Sequence, residues 1–170
     1  LAVSDDSGVR FALPERASNF RESFSQVLAE VVEPQVDLAA ISEGLWHIER
    51  TIRLSLRREA IRQFGPKWRK NVLYGDLPSK VLERARGDVN PTAASVSELR
   101  DPIEWLSLGE LLEVAQKDNF GGLKMDKYSW RKFMSDIIPI RNRLSHMRLV
   151  RKGDRETVAL WLQRVKRTFQ

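Results

Sequence analysis

Cysteine is absent from the 170 residues. That excludes disulfides, thiolate metal centres and a cysteine nucleophile. Histidine is scarce: only His47 and His146 are present. A histidine-rich zinc site therefore cannot be assembled, whereas a carboxylate-led metal site stays open. No apolar run approaches the roughly 18 residues that a bilayer span requires, so no membrane contact is expected. No stretch alternates apolar and polar residues at period two, and neither an internal repeat nor a low-complexity tract is visible. The opening Leu1-Ala2-Val3-Ser4-Asp5-Asp6 has no basic leader and no long apolar stretch, so a signal peptide is not expected. The lack of an initiator Met fits processing or a piece of a longer protein. These absences suit a cytoplasmic protein that needs no cofactor.

Basic charge is plentiful. Lys and Arg total 29 against 23 Asp and Glu, giving +6 and an isoelectric point of about 9.9. Such a surface favours polyanions through counterion release. Arginine outnumbers lysine about two to one, and its planar fork suits phosphate. A solvated surface that binds nothing specific has the same composition.

The apolar spacing is helical throughout. Residues 1–14 read as a loose arm. Phe20, Phe24, Val27, Leu28 and Val31 predict a helix over Glu15–Val32. Leu45, Ile48, Ile52, Leu56, Ile61 and Phe64 form a longer stripe, stopped by Gly65-Pro66. Pro78-Ser79 opens a short helix with Val81, Leu82 and Ala85. Asp101-Pro102 resembles another start, followed by apolar positions from Ile103 to Val114 and a stop at Asn119-Phe120-Gly121-Gly122. Trp130, Phe133, Met134 and Ile137 mark a further helix. Pro139 lies inside it, so a kink or a fresh start is expected there. The helical reading then runs from Ile140 to Val150. Lys152-Gly153-Asp154 is a turn, and Arg155–Phe169 makes the last helix. The fold class is all-α: a compact bundle of five to seven helices in one domain over residues 15–170.

Chemistry concentrates in Ile138-Pro139-Ile140-Arg141-Asn142-Arg143-Leu144-Ser145-His146. An arginine followed by asparagine, then histidine after three more residues, resembles the signature of the HEPN superfamily. There Arg and His stand four to six residues apart, often with a polar residue directly after the Arg. Leu45-Trp46-His47-Ile48-Glu49-Arg50, Trp105-Leu106-Ser107-Leu108-Gly109-Glu110-Leu111, and Trp130 with Phe133 extend the likeness over roughly residues 40 to 165. The pattern is similar to the branch found in C-terminal domains of PIN-type endoribonucleases and attached to large bacterial ATPases.

On a helix Asn142 and His146 share a face, whereas Arg141 and His146 stand about 140° apart around the axis. One helix does not aim both at a single phosphate. The resemblance implies the solution: a homodimer in which two motif helices share one composite cleft. It also implies metal-independent RNA cleavage. His146 would move the proton of a ribose 2′-OH, Arg141 would stabilise charge on the phosphate, and Asn142 would orient His146 or bind a phosphate oxygen. An antitoxin or a fused regulatory domain would be the natural partner, in a toxin, phage-defence or RNA-processing system. The alternative is a HEPN module that binds RNA or dimerises a larger protein without cutting. A third option is a purely structural helical adaptor.

Other residues are weighed beside the motif. Arg143, Arg148, Arg151 and Lys152 suggest a phosphate track or a solvated helix end. Glu49 and Arg53 are spaced for an i,i+4 pair, and the resemblance brings their helix near the motif, where Glu49 would orient Arg141 and Arg53 would touch RNA. Arg141 also reads as a surface arginine and Asn142 as a helix-start polar residue, with His146 half-buried. His47 reads as structural, Trp46, Trp105, Trp130 and Trp161 as core, and Trp68 as core or a base-stacking platform. Ser145 lacks the partners for acyl transfer.

Overall fold

The computed structural model describes residues 37–89, 91–117 and 125–169. The chain divides into two units, Leu1–Gln35 and Val36–Gln170, and every helix named below belongs to the second. The expected arm over 1–14, the helix over Glu15–Val32 and the stop at Asn119–Gly122 lie outside the described residues.

The fold is all-α, with no strand among the described residues. Five helices carry it: α1 (Leu38–Phe64), α2 (Leu77–Arg86), α3 (Leu108–Ala115), α4 (Lys127–Ser145) and α5 (Asp154–Phe169). Short 3₁₀ turns and one helical turn at Trp68–Asn71 fill the connections.

Each helix follows from its spacing. α1 buries Ile41, Leu45, Ile48, Ile52, Leu56 and Ala60, a stripe at steps of three and four. Gly65, at φ +53°, ends it as the glycine predicts. In α2, Pro78 sits in the first turn, where a missing N–H costs nothing. At the start of α3, Ser107 Oγ accepts from the Glu110 N–H (3.3 Å) while the Glu110 carboxylate accepts from the Ser107 N–H (2.8 Å). This reciprocal cap satisfies two end groups at once. Asp126 Oδ1 opens α4 by accepting from the N–H groups of Tyr128 and Ser129, both at 2.9 Å.

The most extensive packing is α1 against α5. Gly44 makes it possible: a Cβ there would lie 2.5 Å from Val158 Cγ1. Between α4 and α5, Phe133 meets Trp161 edge-on at 5.2 Å, and Trp130 meets Phe169 at 6.1 Å.

Two expectations need correction. The fresh start at Pro139 does not occur, because α4 runs through it from Lys127 to Ser145. The proline is exposed and lines an open groove. Phe133, Ile137 and Ile140 are buried on either side of it in sequence and hold the helix together across it. The helix also stops at Ser145 and does not continue to Val150.

Candidate functional site

The end of α4 explains that stop. The Met147 N–H donates to the Leu144 carbonyl (3.0 Å) and the Arg148 N–H to the Arg143 carbonyl (2.8 Å). This is the Schellman pattern, with Met147 at φ +52° where glycine is usual. A left-handed non-glycine residue costs about 1 kcal/mol, and Met147 recovers none of it by burial, being 92% exposed.

The motif residues lie on this end. Arg141 is half-buried in the last turns of α4, and its carbonyl accepts from Ser145 Oγ at 3.0 Å. Asn142 is exposed, and its carbonyl accepts the His146 N–H at 3.2 Å. His146 is the C-terminal cap residue. It is exposed, which corrects the half-buried reading. Among the described residues, the side chains of Arg141, Asn142 and His146 make no hydrogen bond or ion pair.

Arg143 is different. Its Nη2 donates to both carboxylate oxygens of Asp154, at 2.6 and 2.7 Å, and both side chains are largely buried. Its Nε is buried without a partner. Arg143 therefore clasps α4 to α5 and is not a free phosphate ligand. Arg148, Arg151 and Lys152 are exposed on the turn beyond the helix. The Arg148 backbone is held by the Arg143 carbonyl and the Arg151 backbone by Asp154, its N–H donating to Oδ2 at 2.8 Å.

The α1 candidates are structural too. Arg53 is buried, donating to the Ile103 carbonyl, to the Leu106 carbonyl (2.8 Å) and to Glu49. Arg50 pairs with Glu104, and Arg57 lies 3.4 Å from Asp101. These three arginines hold the 101–106 segment against α1. Burial pushes the Asp101 carboxyl above its ordinary range, partly offset by the Ile103 N–H and Arg57. Glu49 orients Arg53 and lines a cleft of about 270 Å³ with Trp46, Arg50 and Glu104. No phosphate can take Arg53 without breaking this set.

Trp130 and Trp161 are core, and Trp105 is partly buried. Trp68 is buried, with the guanidinium groups of Arg57 and Arg69 at 5.8 and 5.3 Å from its ring, so it offers no face to a base. Trp46 is 60% exposed, which corrects its core reading. His47 lies edge-on to Trp46 at 5.0 Å and 3.7 Å from Glu43.

Sequence reasoning missed the groove between α4 and α5, of about 520 Å³, into which Asp136, Arg151, Asp154 and Arg164 open. The only local sign of it is Trp161 with Arg164 at i,i+3. Their guanidinium–ring distance is 4.9 Å. No three His, Asp or Glu side chains gather as a metal would need among the described residues, and no helix there is long and apolar enough to cross a membrane.

No family model, curated protein or solved structure matches this chain. The geometry alone thus offers a cation, an amide and an imidazole, without partners of their own among the described residues, around the end of one helix.

Proposed function

We propose that this chain is a metal-independent endoribonuclease domain of the HEPN type, acting as a homodimer with a composite site. His146 takes the proton from a ribose 2′-OH, and that oxygen attacks the adjacent phosphorus. A P–O2′ bond forms and the P–O5′ bond breaks, with the proton passing to the leaving O5′. The products carry a 2′,3′-cyclic phosphate and a 5′-OH. Arg141 binds the phosphate oxygens as charge grows on them, and Asn142 orients the imidazole or a phosphate oxygen.

The observation that carries this reading is a contrast within one turn. Arg141 and His146 have no side-chain partner among the described residues, whereas Arg143 between them is fully committed to Asp154. Arg50, Arg53, Arg57, Arg84 and Arg143 each find a carboxylate. Arg141 is left for something outside the described residues.

A second reading is a non-catalytic module that binds RNA or dimerises a larger protein. The outward Trp46, Leu54 and Ile61 along α1 favour it, since such residues suit an interface whether or not chemistry follows.

One assay separates the two. Purified protein is incubated with structureless RNA in EDTA and the new ends are identified. Cyclic phosphate and 5′-OH ends, with losses of about 100-fold or more in Arg141→Ala and His146→Ala, support the nuclease. Binding without cleavage leaves the module. A 5′-phosphate product or dependence on added Mg²⁺ overturns the proposed mechanism.

A further inference from the structure

The groove between α4 and α5 has the size of a small-ligand site, at about 520 Å³. Its charges are arranged unevenly. Asp136 is consumed: Oδ1 accepts from Lys132 Nζ (2.8 Å) and Ser135 Oγ (3.3 Å), and Oδ2 from Trp161 Nε1 (2.9 Å). Asp154 is consumed by Arg143 and by the Arg151 N–H. Each carboxylate thus has a cation of its own, Lys132 or Arg143. The guanidinium groups of Arg151 and Arg164 remain, with no carboxylate partner among the described residues.

Both side chains line the same groove. Arg164 lies against the Trp161 ring, and Trp161 is itself fixed by Asp136, so the guanidinium is partly pre-organised. Arg151 is anchored through its backbone to Asp154 while its side chain stays exposed. Paired guanidiniums suit a phosphate, which takes their N–H groups in forks. Pro139 and Leu160 add apolar surface along the wall. Guanidinium groups beside an apolar wall match a sugar-phosphate.

We infer that this groove is a phosphate-binding subsite which grips the RNA strand beside the composite cleft, holding a backbone phosphate between Arg151 and Arg164. The inference rests on the RNA reading proposed for the motif. It assigns the strand a path: Arg143 lines the groove and stands three residues before His146, and the exposed turn 146–153 joins the two places. The subsite binds and does not touch the reacting atoms.

The test uses a short 2′-O-methyl oligoribonucleotide, which cannot be cut, and fluorescence anisotropy across a salt series. The variant is Arg151→Gln with Arg164→Gln, since glutamine keeps the stem over Trp161. A charge-matched control changes Arg58 and Lys70 to Gln, two exposed cations outside the groove that make no ion pair among the described residues. For single strands each lost phosphate contact lowers the slope of log K against log salt by about 0.7, and since the two guanidiniums share one phosphate the double variant should lose about 0.7. Its affinity should fall about tenfold or more at low salt, and the control should keep its slope within that margin. With cleavable RNA the variant should raise KM and leave kcat. If the parent binds RNA and the double variant matches it in affinity and slope, the groove is not a subsite and the nuclease reading stands. If the parent binds no RNA, both fall. Arg151→Gln alone, expected to lose about half the slope change, decides the matter should the double variant melt early.

Discussion

Arg143 and Asp154 form a two-oxygen ion pair that ties the last turn of α4 to the first residue of α5, at 2.6 and 2.7 Å. The turn it closes carries His146, Met147 and Arg148. Removing Arg143 would leave a buried carboxylate without its cation. Losses for breaking such a pair are typically about 3 kcal/mol. Arg143→Ala should therefore lower the unfolding free energy by that amount, read as a lower urea midpoint at unchanged m-value. Cleavage should fall as well, through the loosened turn. A loss under about 0.5 kcal/mol would show that water already screens the pair.

Glu110 gives the domain an acid-sensitive joint. Arg84 donates to both its oxygens, at 2.6 and 2.8 Å, and the Ser107 N–H to Oε2. The Arg84 hydrogen bonds, with the Ser107 groups and against burial, hold the carboxyl down to about 2. The folded pKa is below the unfolded one, so this stabilisation is present above about pH 4.5 and is lost as pH falls towards 2. Arg84 is 42% exposed, which weakens the pair; about 2 kcal/mol is expected. Glu110→Gln should be less stable than the parent by that margin at neutral pH. The gap should close in acid, as followed by thermal melts at several pH values. A gap independent of pH would assign the loss to the cap geometry.

Gly44 sets how closely α1 and α5 approach. Alanine is the better helix former by about 1 kcal/mol, but its Cβ would meet Val158 Cγ1 at 2.5 Å. Valine is stiff at χ1 and cannot swing aside. Overpacking of this kind costs about 1–3 kcal/mol, so Gly44→Ala should melt lower than the parent. Gly44→Ala with Val158→Ala should recover part of the difference. A Gly44→Ala variant that melts higher would mean that the helices part without cost.

The helices were legible because apolar spacing and punctuation agreed. Gly65-Pro66 closes α1, and Pro78 opens α2, for the reasons the residues suggest. Pro139 misled because propensity is local, whereas Phe133, Ile137 and Ile140 hold α4 from the core side. The true end of α4 was hidden because a methionine takes the left-handed position at 147. Arg53 and Arg143 looked like phosphate ligands for a related reason. Sequence shows a cation, but not the Ile103 and Leu106 carbonyls or the Asp154 carboxylate that folding brings to it. Trp46 neighbours the buried Leu45 in sequence but faces about 100° away from it. Arg141, Asn142 and His146 could be singled out only because they form a compact motif. Their lack of partners became visible only with the fold.

The composite site yields the sharpest test of the functional reading. Arg141 and His146 stand about 140° apart on α4, and His146 keeps its helical N–H bond to Asn142, so the separation survives at the cap. Two α4 helices related by a two-fold axis would bring Arg141 of one chain towards His146 of the other. Wild-type chains mixed with excess Arg141→Ala chains, under conditions that permit exchange, then sit mainly in mixed dimers. If one cleft needs both motifs, activity per wild-type chain should collapse as the excess grows. Sedimentation across a concentration series checks that dimers form and exchange. Chains that act alone would keep the same activity per wild-type chain at every ratio. A strictly monomeric protein that cleaves RNA would refute the shared cleft, and Arg141 and His146 would then have to reach the phosphate from one helix.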